Sequence, residues 1–237
     1  MHDAHFHLKN GLLPSPLLKK GIINTQNILE FQQAQSYRKD SLYVSFGLHP
    51  WEAYKEVEKF LSYFKACDVI GEIGMDCVWS KIPLAIQRTV FIAQLKIAHK
   101  LQKPVILHTK GCEQEIVEHI KQYPNTYLVH WYACEEYLKD YLTLDTYFSI
   151  GPGAGVESEV NECVKRIPLD RLLIESDGID AIAWSNQQKV EEIHYLAAMQ
   201  HIVEVIADLK QVSVDELIVQ LRKNYECFTQ KINATNR

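Results

Sequence analysis

The chain has 237 residues, 47% hydrophobic and 23% charged, enough for one large domain with a substantial core, expected to span residues 1–237. Ten glycines and eight prolines exclude a fibrous repeat or a disordered chain, and no apolar run approaches the length of a membrane span. A net charge of −5 excludes a protein that coats nucleic acid by bulk electrostatics, but not an enzyme that meets phosphate through metal ions.

In chain order, Met1 to His7 predicts a first strand, and Leu8 to Gly21 a connector interrupted by Pro14 and Pro16. A buried strand follows at 21–25, then a helix from Ile28 to Arg38. A third strand at 42–48 ends at His49-Pro50, and Glu52 to Lys65 carries Val57, Phe60, Leu61 and Phe64 at helical spacing. The pattern then repeats. Strands are predicted at 68–74, 104–108, 126–130, 146–150 and 171–177. Helices are predicted at 84–101, 111–123, 135–142 and 156–166. A long helix carries Leu196, Met199, Val203 and Ile206 on one face, and Ser213-x-x-Glu216 caps a terminal helix through about Leu221. Eight β-branched runs alternating with helices give the rhythm of a TIM-like (β/α)8 barrel with C-terminal helices. A doubly wound sheet has the same rhythm, but no glycine-rich nucleotide motif follows any strand.

Met1 leads straight into polar residues, so no secretory leader is expected. The six scattered cysteines, with no Cys-x-x-Cys pair, read as reduced thiols of a cytoplasmic protein.

Titratable residues gather at the ends of the predicted strands. Alternation along the first strand puts His5 and His7 on one face with Asp3 beneath them, and Ala4 and Phe6 on the packed face. Alone, such a pair is more often two surface or hydrogen-bonded histidines, or a tag remnant, than a metal site. His49 follows the third strand, Glu72 lies near the end of the fourth, His108 and His130 end the fifth and sixth, and Asp177 ends the eighth. Those carboxyl ends form the face on which barrel active sites are built. So many buried charges need pairing or a metal. Four imidazoles and two carboxylates supply ligands for two divalent ions with one carboxylate left to bridge them.

The ordered motifs Asp3-x-His-x-His7, Gly47-Leu-His-Pro50, Gly71-Glu-Ile-Gly-Met-Asp76, Gln87 through His108 and Leu172-Leu-Ile-Glu-Ser-Asp177, with Asn224-x-x-x-Phe228, resemble the TatD family of metal-dependent deoxyribonucleases. The resemblance implies a TIM-like barrel with divalent ions, two of them here, drawn from zinc, manganese, magnesium or nickel. By matching position, His5, His7 and Asp177 would hold one ion, His108 and His130 the other, and Glu72 would bridge. Asp177 would accept the proton of the attacking water, and His49 would face the substrate.

The chain departs from the family pattern after His108, where Thr109-Lys110-Gly111 replaces Ser-Arg-Asp, and Lys110 is left as the cation for phosphate without a bidentate fork. It departs again at Trp131-Tyr-Ala-Cys134, at Gly178-Ile179 and over Asn186 to Ile193. Trp51, Trp131 and Trp184 follow motif residues, where they could stack bases, though filling the rim as packing is the more usual role for any one of them. The expected function is a monomeric deoxyribonuclease preferring single-stranded or 3′-ended DNA, with no membrane partner. The rival readings are a hydrolase of another small ester or amide, and a catalytically weak accessory or binding subunit.

Overall fold

The computed structural model describes residues 1–39, 41–187 and 191–235. Its eight strands lie side by side in chain order, every neighbouring pair parallel. They are β1 (Asp3–His7), β2 (Gly21–Asn24), β3 (Leu42–Phe46), β4 (Val69–Gly74), β5 (Val105–His108), β6 (Tyr127–Val129), β7 (Thr146–Ile150) and β8 (Leu172–Ile174). Between them run α1 (Ile28–Gln35), α2 (Leu61–Ala66), α3 (Leu84–Leu101), α4 (Glu113–Ile120), α5 (Leu138–Tyr141) and α6 (Ser158–Arg166). After β8 come α7 (Ile179–Ser185), α8 (Tyr195–Lys210) and α9 (Val214–Thr235). This is the TIM-like (β/α)8 architecture, in which strands covered on both faces are apolar almost throughout. No helix among the described residues is long and apolar enough to cross a membrane, and all six cysteines are free.

The helices follow from local rules. α3 buries Val90, Phe91, Leu95 and Ala98 at three- and four-residue spacing, the stripe that faces a core. It stops at Gln102, whose left-handed backbone returns its N–H to the Ala98 carbonyl. Inside the barrel each strand gives one buried side chain to a common cluster, from Ala4 on β1 to Leu173 on β8. Tyr225, Phe228 and Ile232 of α9 pack against that cluster. Asn224 of α9 donates to the Leu169 and Leu172 carbonyls at the entrance to β8, so α9 stoppers the end of the barrel opposite the histidines.

Among the described residues no ladder joins β8 to β1. Side chains close that seam. Ser176 N–H donates to Asp3 Oδ1 at 3.0 Å, and the Ser176 and Tyr195 hydroxyls donate to Asp3 Oδ2 at 2.5 and 2.7 Å. Asp177 N–H donates to the His5 carbonyl at 3.0 Å. Asp3 is fully buried, and that burial pushes its carboxyl up to about 7 against the pull of its donors.

Several expectations are corrected. The terminal helix continues from Leu221 to Thr235 because Tyr225, Phe228 and Ile232 prolong its apolar face. The stretch from Glu52 to Lys65 is two short 3₁₀ turns, Pro50–Glu52 and Val57–Phe60, followed by α2. Along β1 simple alternation fails. The register shifts between Asp3 and Phe6, so Ala4 faces the barrel interior while Phe6 joins the outer core, and Asp3 serves the seam. Asp177 lies three residues beyond the end of β8, with φ 53°.

Candidate metal centre

The carboxyl ends of six strands carry the titratable cluster, and two buried glutamines of α3 hold the turns that follow β3 and β4. Gln94 accepts from Leu48 N–H at 2.7 Å and donates to its carbonyl, fixing the turn before His49. Gln87, two helical turns earlier, accepts from Asp76 N–H at 2.8 Å and donates to the Asp76 carbonyl. One helix face thus sets both loops. Gly47 is required where β3 meets β4, since a Cβ there would lie 2.5 Å from the Glu72 carbonyl oxygen.

The predicted ligand atoms fall into two groups around Glu72, which is 3% exposed. On one side, His7 Nε2 lies 3.0 Å and His5 Nε2 3.4 Å from Glu72 Oε1, while Asp177 Oδ1 lies 3.1 Å from His5 Nε2 and 3.4 Å from His7 Nε2. On the other, His130 Nε2 lies 3.0 Å and His108 Nδ1 3.5 Å from Glu72 Oε2, and the two imidazole atoms are 3.2 Å apart. Ligands about 2.0–2.2 Å from one tetrahedral ion sit roughly 3.3–3.6 Å from each other. The donor set therefore fits divalent cations, one group against each carboxylate oxygen. Orphaned polar atoms agree: His5 Nε2 and Asp177 Oδ1, both of the first group, are buried with no hydrogen-bond partner, and such atoms call for an ion or an equivalent.

Electrostatics point the same way. Burial alone would raise Glu72, but the charges of His130 and His5 outweigh it and hold the carboxyl well below its usual range. Burial likewise opposes the charging of His5, yet Glu72 and Asp177 leave that imidazole raised to about 9. The cluster gathers positive charge around its carboxylates, the place a divalent ion would take.

Hydrogen bonds sort the imidazoles by tautomer, assigned from the network. His108 Nε2 faces Asp76 Oδ2 at 3.2 Å, so it carries the proton and Nδ1 keeps its lone pair toward Glu72. His49 behaves oppositely. Its Nδ1 accepts from Trp51 N–H at 3.2 Å, which leaves the proton on Nε2, 3.3 Å from His108 Nδ1 and 3.7 Å from Glu72 Oε2. Burial depresses its pKa to about 3, so His49 is a neutral donor aimed into the centre. Although close enough to be counted among ligands, it has its one ring lone pair engaged by Trp51 N–H.

Lys110, the remaining predicted residue, stands apart from the ligands, its Nζ 4.6 Å from the centroid of the Trp79 ring. Two acidic residues with no predicted role are part of the site. Asp76 orients His108 and accepts from Trp51 Nε1 at 2.7 Å. Glu175 accepts from Trp131 N–H at 2.8 Å and lies 3.8 Å from His130 Nδ1. Both sit inside motifs legible in the sequence, Gly71–Asp76 and Leu172–Asp177. The divergent stretch from Asn186 to Ile193 includes 188–190, outside the described residues.

The profile of the family described as TatD related DNase matches residues 17–230. The chain is similar to the uncharacterized metal-dependent hydrolase YabD of Bacillus subtilis, 28% identical over 190 residues, 75% of this chain and 73% of that protein. It is also similar to the 3'-5' ssDNA/RNA exonuclease TatD of a Rahnella species, 26% identical over 65% of this chain and 64% of that protein. In fold it resembles the crystal structure of YjjV, a TatD homolog from Escherichia coli, with a TM-score of 0.79 at 21% identity over 96% of this chain and 97% of that one.

Proposed function

Because this chain belongs to the family of TatD-related deoxyribonucleases, whose relatives are named metal-dependent hydrolases, we propose that it hydrolyses phosphodiester bonds of single-stranded or 3′-ended nucleic acid. The observation that carries this reading is Glu72, whose two carboxylate oxygens face different donors, His5 and His7 with Asp177 beside one and His108 and His130 beside the other. In our reading His5, His7 and Asp177 would hold one ion, His108 and His130 the other, with Glu72 between them; the mixed nitrogen and oxygen donors suit zinc, manganese or nickel, with magnesium or manganese serving turnover. Two such ions would activate water and neutralise a phosphoryl oxygen.

The protein's own groups supply the rest. The Asp177 carboxylate takes the proton of the attacking water. Burial would raise this carboxyl, but the neighbouring His5 and His7 imidazoles keep it below the ordinary range, so it is ionised and ready as a base. His49 Nε2–H donates to a non-bridging phosphate oxygen, a task open to a neutral donor in a crowded cationic site. Asp76 holds the His108 proton on Nε2 and Glu175 faces His130 Nδ1, and both orient imidazoles without touching substrate.

The test compares a closed duplex circle with a linear single strand of equal sequence, both with manganese and again with chelator. The linear strand should be cut faster, and chelator should abolish cutting. Salt adds a second axis: few cations surround the site, so log K against log salt should have a slope of roughly −2 to −3. Faster cutting of the circle would overturn end-directed action. No cutting of either would transfer the reading to a smaller ester or amide on the same centre.

A further inference from the structure

We propose that Trp79, Trp131 and Trp184, with Lys110, form a base-stacking subsite on the rim of the metal centre, for a nucleotide of a single strand whose phosphate enters that centre. This rests on the nuclease reading above and specifies how its substrate is held.

The three indoles come from three separate segments yet touch in sequence. The Trp131 and Trp184 ring centroids are 6.1 Å apart at 67°, and those of Trp184 and Trp79 are 6.5 Å apart at 80°. Each is tied to the cluster by short covalent or hydrogen-bonded links. Trp79 N–H donates at 2.8 Å to Asp76 Oδ1, while the other oxygen of that carboxylate orients His108. Trp131 directly follows His130, and its N–H donates to Glu175. Trp184 lies on α7, which begins two residues after Asp177.

Trp131 packs in part against the core, but packing does not account for the two outer indoles. Trp79 is 51% and Trp184 64% exposed, and while single exposed apolar residues are ordinary, a contiguous aromatic run beside a polar cleft marks a binding surface. Trp131 has φ 42°, a left-handed backbone that is uncommon for a bulky side chain. Its ring is fixed by Nε1–H donating to Glu157 Oε1 at 3.1 Å, so the strained backbone presents one definite ring orientation.

The chemistry of the row selects the occupant. Edge-to-face indoles turn their faces in different directions, which suits bases splayed out of an unstacked strand and not a closed duplex. Lys110 Nζ, poised over Trp79, adds a positive charge where the backbone of such a strand would pass. A flat ring beside an anion, next to a centre that takes phosphate, describes a nucleotide.

The experiment compares a linear deoxyoligonucleotide with an abasic strand of the same length, whose sugar–phosphate backbone is otherwise identical. Cleavage by the magnesium-loaded protein is measured for both, as is binding of the labelled strands in chelator by fluorescence anisotropy. The wild type should favour the base-bearing strand by about ten-fold or more in both readouts, the range of one stacked base. Trp184→Ala and Trp79→Ala should each lower that ratio and the double variant should bring it near one, while Trp184→Phe should retain part of it. Both positions are exposed, so the fold should persist, with circular dichroism as the check. Equal treatment of the two strands by the wild type, or an undiminished preference in the double variant, would overturn the subsite while leaving the nuclease reading intact. Cutting of neither strand would overturn both.

Discussion

His5 Nε2 and Asp177 Oδ1 lie 3.1 Å apart at the mouth of the barrel, and neither atom has a hydrogen-bond partner. They meet at bonding distance without bonding geometry. Two lone pairs converging on one point describe ligands, and the same point is within reach of His7 Nε2 and Glu72 Oε1.

If two ions bind as proposed, Glu72→Ala should remove at least one of them and lower turnover by at least about a thousand-fold, because several kcal/mol of charge stabilisation would depend on the pair. Asp177→Asn should keep the fold and lose about a hundred-fold or more in turnover, the usual share of a general base. Elemental analysis of reconstituted protein, read beside the rates, checks both. Full occupancy with a near-wild-type rate in Asp177→Asn would remove that residue from the role of base.

Asp76 acts only through its neighbour. Asp76→Ala should free His108 to change tautomer and weaken metal binding by about 10–100-fold, measured by competition with a chromogenic chelator. Unchanged affinity would mean that the contact of His108 Nε2 with Asp76 does not set the tautomer.

Phe228 is fully buried against the ring of side chains inside the barrel. Phe228→Ala should cost about 3–5 kcal/mol of stability, read as a lower denaturant midpoint, with the folded fraction retaining its turnover. A loss below 1 kcal/mol would show that α9 covers the barrel end without supporting it.

His2 is buried and stacked on Tyr225, their ring centroids 4.3 Å apart, and burial lowers its pKa from 6.5 to about 3. Below pH 6.5 the unfolded chain takes up a proton that the folded one refuses. Stability relative to His2→Phe should thus be complete above pH 6.5 and fall by about 1.4 kcal/mol per unit as the pH drops toward 3. Urea titrations of the two proteins across that window supply the comparison. Parallel stability curves would refute it.

Much of this was legible in the sequence because the barrel repeats one simple signal. Each β-branched run became a strand, and a titratable residue just past an apolar run lands on the functional face whatever its neighbours do. α3 occupies the predicted 84–101 because its stripe is long and regular. Other features depend on contacts distant in sequence. Nothing in Trp51 announces that its N–H fixes the tautomer of His49, and Asp76 and Glu175 are ordinary acidic residues until His108 and His130 turn toward them. The alternation read into β1 failed because a register shift is set by the neighbouring strand. The extent of α9 was available in the spacing of Tyr225, Phe228 and Ile232, beyond the capping signal from which that helix was read.

The seam held by Asp3, Ser176 and Tyr195 also sets an order of events. Asp3 and Ser176 are 173 positions apart, so at about 5–20 residues per second a nascent chain carries its first strand for roughly ten to thirty-five seconds before the partner exists. Contacts of such long separation pay their loop-closure entropy last and slow the final step of folding. His5 and Asp177 lie on opposite sides of that seam, so the ion they would share is captured only at closure. In pulse-labelled hydrogen exchange during refolding, the Asp177 amide bonded to His5 should be among the last to gain protection, and added cation should shorten that wait.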